Sequence, residues 1–389
     1  MIYNTSDFVA ILNNQISDNM LNSTSSVLAE NVESLVDYGK AVTSLSADDL
    51  KHWSYNIVVG VYNKVVNRLL ATKNFKFLKD SVAFGGAMQR LMASGLLEPQ
   101  VSHIRNLNYA HGSYHDGKFY GVPFDAKIYL EDEAMKFVVS TADDFYKSMF
   151  TSFDELNKAL GIIATNLENS MTAYFNELSK RLLVAVCVDA LTHNRKIQLL
   201  TQFNNYLGNT GEDILTMSDI KADRKLMAYF SDFCKMTISK VIDYMGDINK
   251  KYNDGTVVTF APKEKINAVF ISEFLREIEF IGNPVDFNLP SGISADSISC
   301  WQSTTNAILP DFSKVSQIQT TDLNEGPPKH TYNNVVGIVY DEDCAGIIQK
   351  LNKTTVEPVG AEGFINYHHH TVNSWYVDSR LGAVVFTLD

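Results

Sequence analysis

Residues 152–192 read SFDELNKALGIIATNLENSMTAYFNELSKRLLVAVCVDALT. Apolar residues recur at Phe153, Leu156, Leu160, Ile163, Leu167, Met171, Tyr174, Leu178, Leu182 and Ala185. Steps of three and four are the period of an α-helix with one apolar stripe. Ser152 stands at the N-cap position and Glu155 follows three residues later, a capping-box pattern that satisfies two backbone donors. At 1.5 Å per residue such a helix is roughly 60 Å long, a beam along whose stripe other elements are laid. Two shorter helices broken near Gly161 are the alternative reading. In both cases the segment is architecture and not a site.

On either side the pattern is less regular. Residues 1–45 are rich in Asn, Ser and Thr with short apolar pieces, and read as weak helices that lie against something else. A better helical period runs from Ser46 to Leu69. Residues 85–133 are punctuated by Gly85, Gly86, Gly95, Gly112, Gly117 and Gly121 and are dense in Tyr and Phe. Asp116–Gly117 between aromatic residues signals a hairpin turn, so a long two-stranded excursion is expected here. Its edges need cover, which another copy of the chain could supply. Beyond the long helix, 194–216 reads as a polar loop and 218–252 as helix. TVVTF (256–260), INAVFI (266–271) and NNVVGIVY (333–340) read as buried strands. EFLREIEF (273–280) and DCAGIIQK (343–350) read as short helices, with Asp343 as the acidic N-cap of the second. The last residues, from Phe364, are extended by pattern.

Composition is that of a globular protein: 45% apolar, 20% charged, net charge −12 and a pI of about 5.2. The acidic balance argues against a surface that grips nucleic acid or anionic lipid. Four dispersed cysteines, Cys187, Cys234, Cys300 and Cys344, form no CxxC pair and read as reduced, buried thiols. The N-terminus lacks the pattern of a signal peptide, and no apolar run reaches the length of a membrane span, so a soluble intracellular protein is expected.

Chemistry is sparse. His368, His369 and His370 in a strand alternate faces, so only His368 and His370 share a side. With Asp341 they would begin a metal-dependent hydrolase, the alternative function, but zinc normally takes three or four protein groups and no HExxH or His–Cys pattern completes the set. Asp341, Glu342 and Asp343 follow a strand end and equally serve as caps. Gly85–Gly86 could cradle an anion, but no phosphate-loop Lys follows, which leaves a hinge. Tyr109, Tyr114, Phe119 and Tyr120 could stack on sugars, the basis of a third, adhesive reading, and hairpin packing also accounts for them. No catalytic residue, cofactor-binding residue or metal ligand set is expected.

Three blocks together resemble the major capsid protein of tailed bacteriophages, the fold first described for a Hong Kong phage and shared with herpesvirus shells. They are AFGGAMQRLMASG (83–95) with AKIYLEDEAMKFVVSTADDFYKSM (126–149), the helix 152–192, and NYHHHTVNSWYVDSRLGAVVFTL (366–388). The likeness covers residue 54 to the end and is nearest to small podophages. It implies an α+β fold with an N-terminal arm (1–53), an extended β-hairpin loop (85–133), a peripheral domain (54–84, 134–219 and 366–389) built on the spine helix, and an α/β axial domain (220–365). It further implies a non-enzymatic protein that self-assembles as pentamers and hexamers into the icosahedral head of a virion. Such a shell is assembled in the host cytoplasm with scaffolding and portal proteins, encloses double-stranded DNA without sequence-specific binding and has no membrane. The assembly residues implied are structural: Gly85 and Gly86 as loop hinges, Asp116 and Gly117 in its turn, Ser152 and Glu155 as the spine cap. Trp375, Asp378 and Arg380 hold the returning strand, Arg380 being able to grip a carboxylate through two bonds.

Overall fold

The computed structural model describes residues 78–81, 88–93, 124–129, 132–142, 153–281, 295–302, 311–320, 330–359 and 363–389. The chain divides into two compact units, Met1–Gly85 with Glu131–Ser179 and Ile347–Ser374, and Gly86–Leu130 with Lys180–Gly346 and Trp375–Asp389. No helix among the described residues is long and apolar enough to cross a membrane.

The helix α1 (Phe153–Thr192) is continuous over 40 residues, so the break near Gly161 does not occur. Its apolar spacing explains its burial: Leu167, Met171, Tyr174, Phe175 and Leu178 are inaccessible in the first unit. In the second, Leu182, Leu183, Val186, Cys187 and Ala190 continue the buried stripe, which is wider there than the three-four spacing alone implies.

In the first unit a four-stranded sheet has the order β1 (Leu78–Ser81), β11 (Ala345–Val359), β12 (Phe364–Val377), β4 (Asp132–Ala142). Strands β12 and β4 pair antiparallel from Phe364↔Ala142 to Ser374↔Asp132. Burial along β12 alternates residue by residue from Phe364 to Asn373, the period-two signature of a sheet with one covered face, and Ser374, buried next to Asn373, breaks the alternation. That face packs on α1: the rings of Phe137 and Tyr174 meet edge-on at 5.7 Å, and Asn373 Nδ2 donates to the Tyr174 hydroxyl at 3.1 Å. His369 lies on the same face, fully buried, with Nδ1 3.1 Å from Thr354 Oγ1.

The second unit holds a five-stranded sheet, ordered β5 (Lys196–Gln198), β13 (Ala383–Thr387), β10 (Val335–Asp341), β6 (Ile266–Ile271), β7 (Ala295–Ile298). Strand β10 is central and buried throughout, which is why VVGIVYD reads as one apolar run. Gly337 is required there: a Cβ would lie 2.0 Å from the Phe270 ring on the paired strand β6. Helices α2 (Leu199–Leu207), α3 (Met217–Ala222), α4 (Arg224–Gly246) and α5 (Ser272–Ile281) belong to this unit. Helix α4 contributes Phe230, Cys234, Ile238, Val241 and Met245 to the core. All four cysteines are buried free thiols. The remaining paired strands are two hairpins, β2 (Met88–Ala93) with β3 (Phe124–Tyr129), and β8 (Ile318–Thr320) with β9 (His330–Tyr332).

Four local expectations are corrected. DCAGIIQK is not a helix: its acidic signal caps a single 3-10 turn (Glu342–Cys344), where Asp341 Oδ1 accepts from the Asp343 amide at 2.9 Å, and the chain then enters β11. Two β-branched isoleucines, Ile347 and Ile348, favour that strand, which pairs with β1 through Ile347. TVVTF forms no strand beyond a bridge between Asn249 and Thr259. Side chains satisfy its backbone instead: Asn253 Nδ2 donates to the Val257 carbonyl at 2.6 Å, and Asp254 Oδ1 accepts from the Thr256 amide at 3.0 Å. The expected loop 194–216 contains β5 and α2, because buried Asn204 bonds the Leu200 and Leu215 carbonyls and the Leu215 amide while Leu199 and Phe203 enter the core. Finally, the 218–252 helix is two helices, separated at Asp223, whose carboxylate caps α4.

Burial, reinforced by the neighbouring His370, pushes the His369 imidazole down to about 4. Its folded value lies below the ordinary 6.5, so the unfolded chain binds the extra proton first. The first unit should therefore lose stability as pH falls from 6.5 to 4, on the order of 3 kcal/mol in total. Denaturant unfolding across that range should show a slope that His369→Gln flattens; an unchanged slope would contradict the neutral, buried state.

Candidate functional site

The second unit concentrates its buried charge where the strand β12 ends. After Val377 the chain turns through Asp378, Ser379 and Arg380, with the Leu381 amide donating to the Asp378 carbonyl at 3.2 Å. Arg380 is fully buried and Asp378 nearly so. The two side chains join through both arms of the guanidinium: Nε to Oδ1 at 2.8 Å and Nη2 to Oδ2 at 2.8 Å. This bidentate geometry matches the planar fork of arginine and removes two charges from solvent together.

Arg380 has donors to spare, and they go to the hairpin β2–β3. Nη1 donates to the Asp125 carbonyl at 3.0 Å and to Asp125 Oδ2 at 3.1 Å, and Nη2 donates to the Arg90 carbonyl at 3.3 Å. One guanidinium thus grips both strands of the hairpin, whose register runs from Met88↔Tyr129 to Ala93↔Phe124. The hairpin replies with its own cations. Arg90 Nη1 lies 3.5 Å from Asp378 Oδ2 and donates to the Asp343 carbonyl at 2.5 Å, with its guanidinium carbon 4.9 Å above the Tyr376 ring. Lys127 Nζ donates to Ser379 Oγ at 2.8 Å and reaches Asp254 Oδ2 at 3.4 Å. Tyr129 closes the cluster, 5.6 Å from Tyr376 between ring centres.

Electrostatics follow from this packing. Burial works to raise Asp378, but the hydrogen bonds and charge of Arg380, with Arg90 behind it, hold its carboxyl below the usual range. Arg380 is raised in turn, chiefly by its hydrogen bond to Asp378. Burial pushes the hydroxyls of Tyr129 and Tyr376 up to about 12. Asp254, although burial opposes it, is held down at about 2 by hydrogen bonds from Thr256 and Ser379 and by Lys127. Asp378, Asp254, Arg380, Tyr129 and Tyr376 therefore keep their ordinary charge at neutral pH. The arrangement binds and positions a hairpin; it offers no nucleophile and no proton shuttle.

Of the residues singled out in the sequence, Asp378 and Arg380 meet in this cluster. Trp375 lies half-buried on β12, and the ring that stacks under Arg90 is Tyr376. Glu155 lies in the first turn of α1. Gly85, Gly86, Asp116, Gly117 and Ser152 fall outside the described residues, as does 94–123, the part of the chain between β2 and β3. Arg90, Asp125, Lys127 and Tyr376 were not anticipated. Tyr376 was reachable, because the two-residue period places it on the side of Ser374 and Asp378. The others depend on pairing across some 250 residues.

The histidine run takes up other roles. His368 and His370 share a face at 6.2 Å between rings, as the strand period requires. His368 Nε2 pairs with Glu357 Oε2 at 3.1 Å and His370 Nε2 with Thr355 Oγ1 at 2.9 Å, while Asp341 serves as a cap. Among the described residues no group of three or more His, Cys, Asp and Glu is placed to hold a metal ion. The hydrolase alternative therefore has no support in the geometry.

Removing Arg380 leaves Asp378 a buried, half-compensated charge. Arg380→Ala should cost about 3–5 kcal/mol of stability in denaturant unfolding. Acid acts on the same pair: its contribution is present above the ordinary carboxylate value near 4 and is lost as pH falls below it. Asp378→Asn should weaken that acid dependence.

No protein-family model matches the sequence, and no curated protein matches it. Solved structures do. A chain in the capsid structure of Staphylococcus phage Andhra superposes with a TM-score of 0.52 at 10% identity, covering 82% of this chain and 84% of that one. A chain in the structure of the head fibre and inner core protein of bacteriophage P68 gives 0.47 at 10% identity over 82% and 84%. The capsid structure of cyanophage P-SCSP1u gives 0.45 at 11% identity over 80% and 86%. At this identity the Andhra likeness is a statement of fold, and by it the chain has the α+β fold of a phage capsid protein, as the resemblance in its sequence implied.

Proposed function

We propose that this protein is the major capsid protein of a tailed phage, a structural and non-enzymatic subunit that self-assembles into the icosahedral head enclosing double-stranded DNA. The observation that carries the reading is the match of fold to the Andhra capsid chain across more than four-fifths of both chains. The likeness spans most of both chains, so it is not that of one common motif.

The physics of the chain supports the same role. A hairpin held at its base by buried charge suits an element that must carry load at its far end. Association through several modest patches suits closed symmetric assembly, in which each patch meets a complementary one. A net charge of −12 suits a wall along which a polyanion moves without being trapped.

Within this proposal the chain is read as an N-terminal arm (1–53), a peripheral domain (54–84, 134–219, 366–389), an extended loop (85–133) and an axial domain (220–365). Gly85 and Gly86 act as its hinges and Ser152 with Glu155 as the spine cap. The Arg380 cluster is the root of the loop. Pentamers and hexamers are the assembly units, scaffolding and portal proteins the partners, and small podophages the nearest kin. The particle is built in the host cytoplasm, and its final location is the virion.

Negative-stain electron microscopy and light scattering on the purified protein, alone and co-expressed with its genomic neighbours, test the proposal. Shells, tubes or pentameric and hexameric rings are expected, and Arg380→Ala should yield no normal particles. A strict monomer or small dimer under every condition would overturn it.

A further inference from the structure

Helix α2 has an unusual surface. Of its nine residues, LLTQFNNYL, none is charged. Leu199 and Phe203 are buried, yet Tyr206 is 68% and Leu207 42% exposed. Tyr206 rests against Phe233 of α4 at 5.4 Å between ring centres. One turn to either side of Phe233 on α4, Tyr229 is 65% and Met236 50% exposed. Through Phe233, Tyr206 joins Tyr229 and Met236 in one patch across two packed helices of the second unit, and exposed Leu207 follows Tyr206 in the chain. Around them on α4, exposed Lys225, Asp232 and Lys240 supply a rim of both signs.

Solvent alone gives no reason for a helix without charge to present a tyrosine and a leucine to it. Exposed aromatic and Met side chains with charge excluded from the centre are the composition of a protein interface core. A polyanion is a poor occupant, because α2 offers no cation and the two lysines of the rim are interrupted by Asp232. The size narrows the choice further. The patch presents on the order of 400 Å², about half of what one partner contributes to a stable two-body interface. It is too small to hold an isolated dimer and sufficient as one of several contacts repeated around a closed ring.

We infer that the Tyr206–Leu207–Tyr229–Met236 patch is a contact between neighbouring copies of this chain, covered only on assembly. The inference rests on the shell reading proposed above, which makes a second copy the partner present at every subunit. The mixed rim fits this occupant, since an identical chain brings both signs to meet it.

Nitration of the full-length wild-type protein with tetranitromethane, read by peptide mass spectrometry, tests this directly. Tyr206 and Tyr229 should be modified readily in dispersed subunits and at least fivefold less in assembled rings or shells. Equal modification in the two states overturns the inference and leaves the shell reading standing. Protection already present in dispersed subunits, or appearing only with a different protein bound, overturns it too. A wild-type chain that forms no assembly under any condition sinks both readings. As a second arm, Tyr206→Asp with Tyr229→Asp should keep the wild-type circular dichroism spectrum and raise the concentration at which assembly begins at least tenfold. Normal assembly by this variant overturns the inference; where the variant misfolds, the nitration result decides.

Discussion

The buried ion pair of Arg380 and Asp378 is the constraint on which the β2–β3 hairpin of the second unit depends. Neither charge is tolerable there alone. Burying an isolated carboxylate or guanidinium costs several kcal/mol, and only a partner with matched geometry offsets it. Asp378 supplies that partner through two bonds of 2.8 Å, and the three remaining donor contacts of Arg380 are spent on the backbone and side chain of β2–β3. Fixing the turn after β12 therefore fixes the root of the hairpin as well.

Redundancy makes the root stiff. Arg90 returns a second guanidinium to Asp378 while lying over Tyr376, and Lys127 ties the other strand to Ser379 and Asp254. Buried networks of this kind are worth having only when every member is satisfied, since one missing partner leaves a desolvated charge. They also specify a single geometry where apolar packing alone would permit sliding, because a β-strand can shift register against smooth aliphatic neighbours. A hairpin held by directional bonds can transmit force to the body of its unit.

Elsewhere apolar burial carries much of the packing, beside a second buried arginine, Arg195, that pairs with Asp189. In one, a period-two strand face closes over α1 through Phe137, Tyr174 and Asn373. In the other, an all-buried central strand needs Gly337 so that the Phe270 ring can lie against its backbone. The histidine run illustrates how position assigns chemistry: three identical side chains in succession become one buried neutral ring and two that pair with Glu357 and Thr355.

Elements whose period is long and uninterrupted can be read from the residues alone. The 40-residue helix, the strands 266–271 and 335–341 and the extended C-terminus were legible because each repeats one local rule often enough to exclude the alternatives. Asp378 and Arg380 were singled out only through the family resemblance, as an acid and an arginine two positions apart before an apolar run. Short ambiguous segments went the other way. DCAGIIQK carries a helix cap and becomes a strand, and 199–207 looks like loop and becomes an amphipathic helix, because pairing partners and one buried asparagine outweigh weak local preference. Only the tertiary structure could bring Arg90 and Asp125 to Arg380 and Lys127 to Ser379, or set Tyr206 beside Phe233. Those contacts join residues up to 290 positions apart, and no local periodicity encodes a partner at that distance.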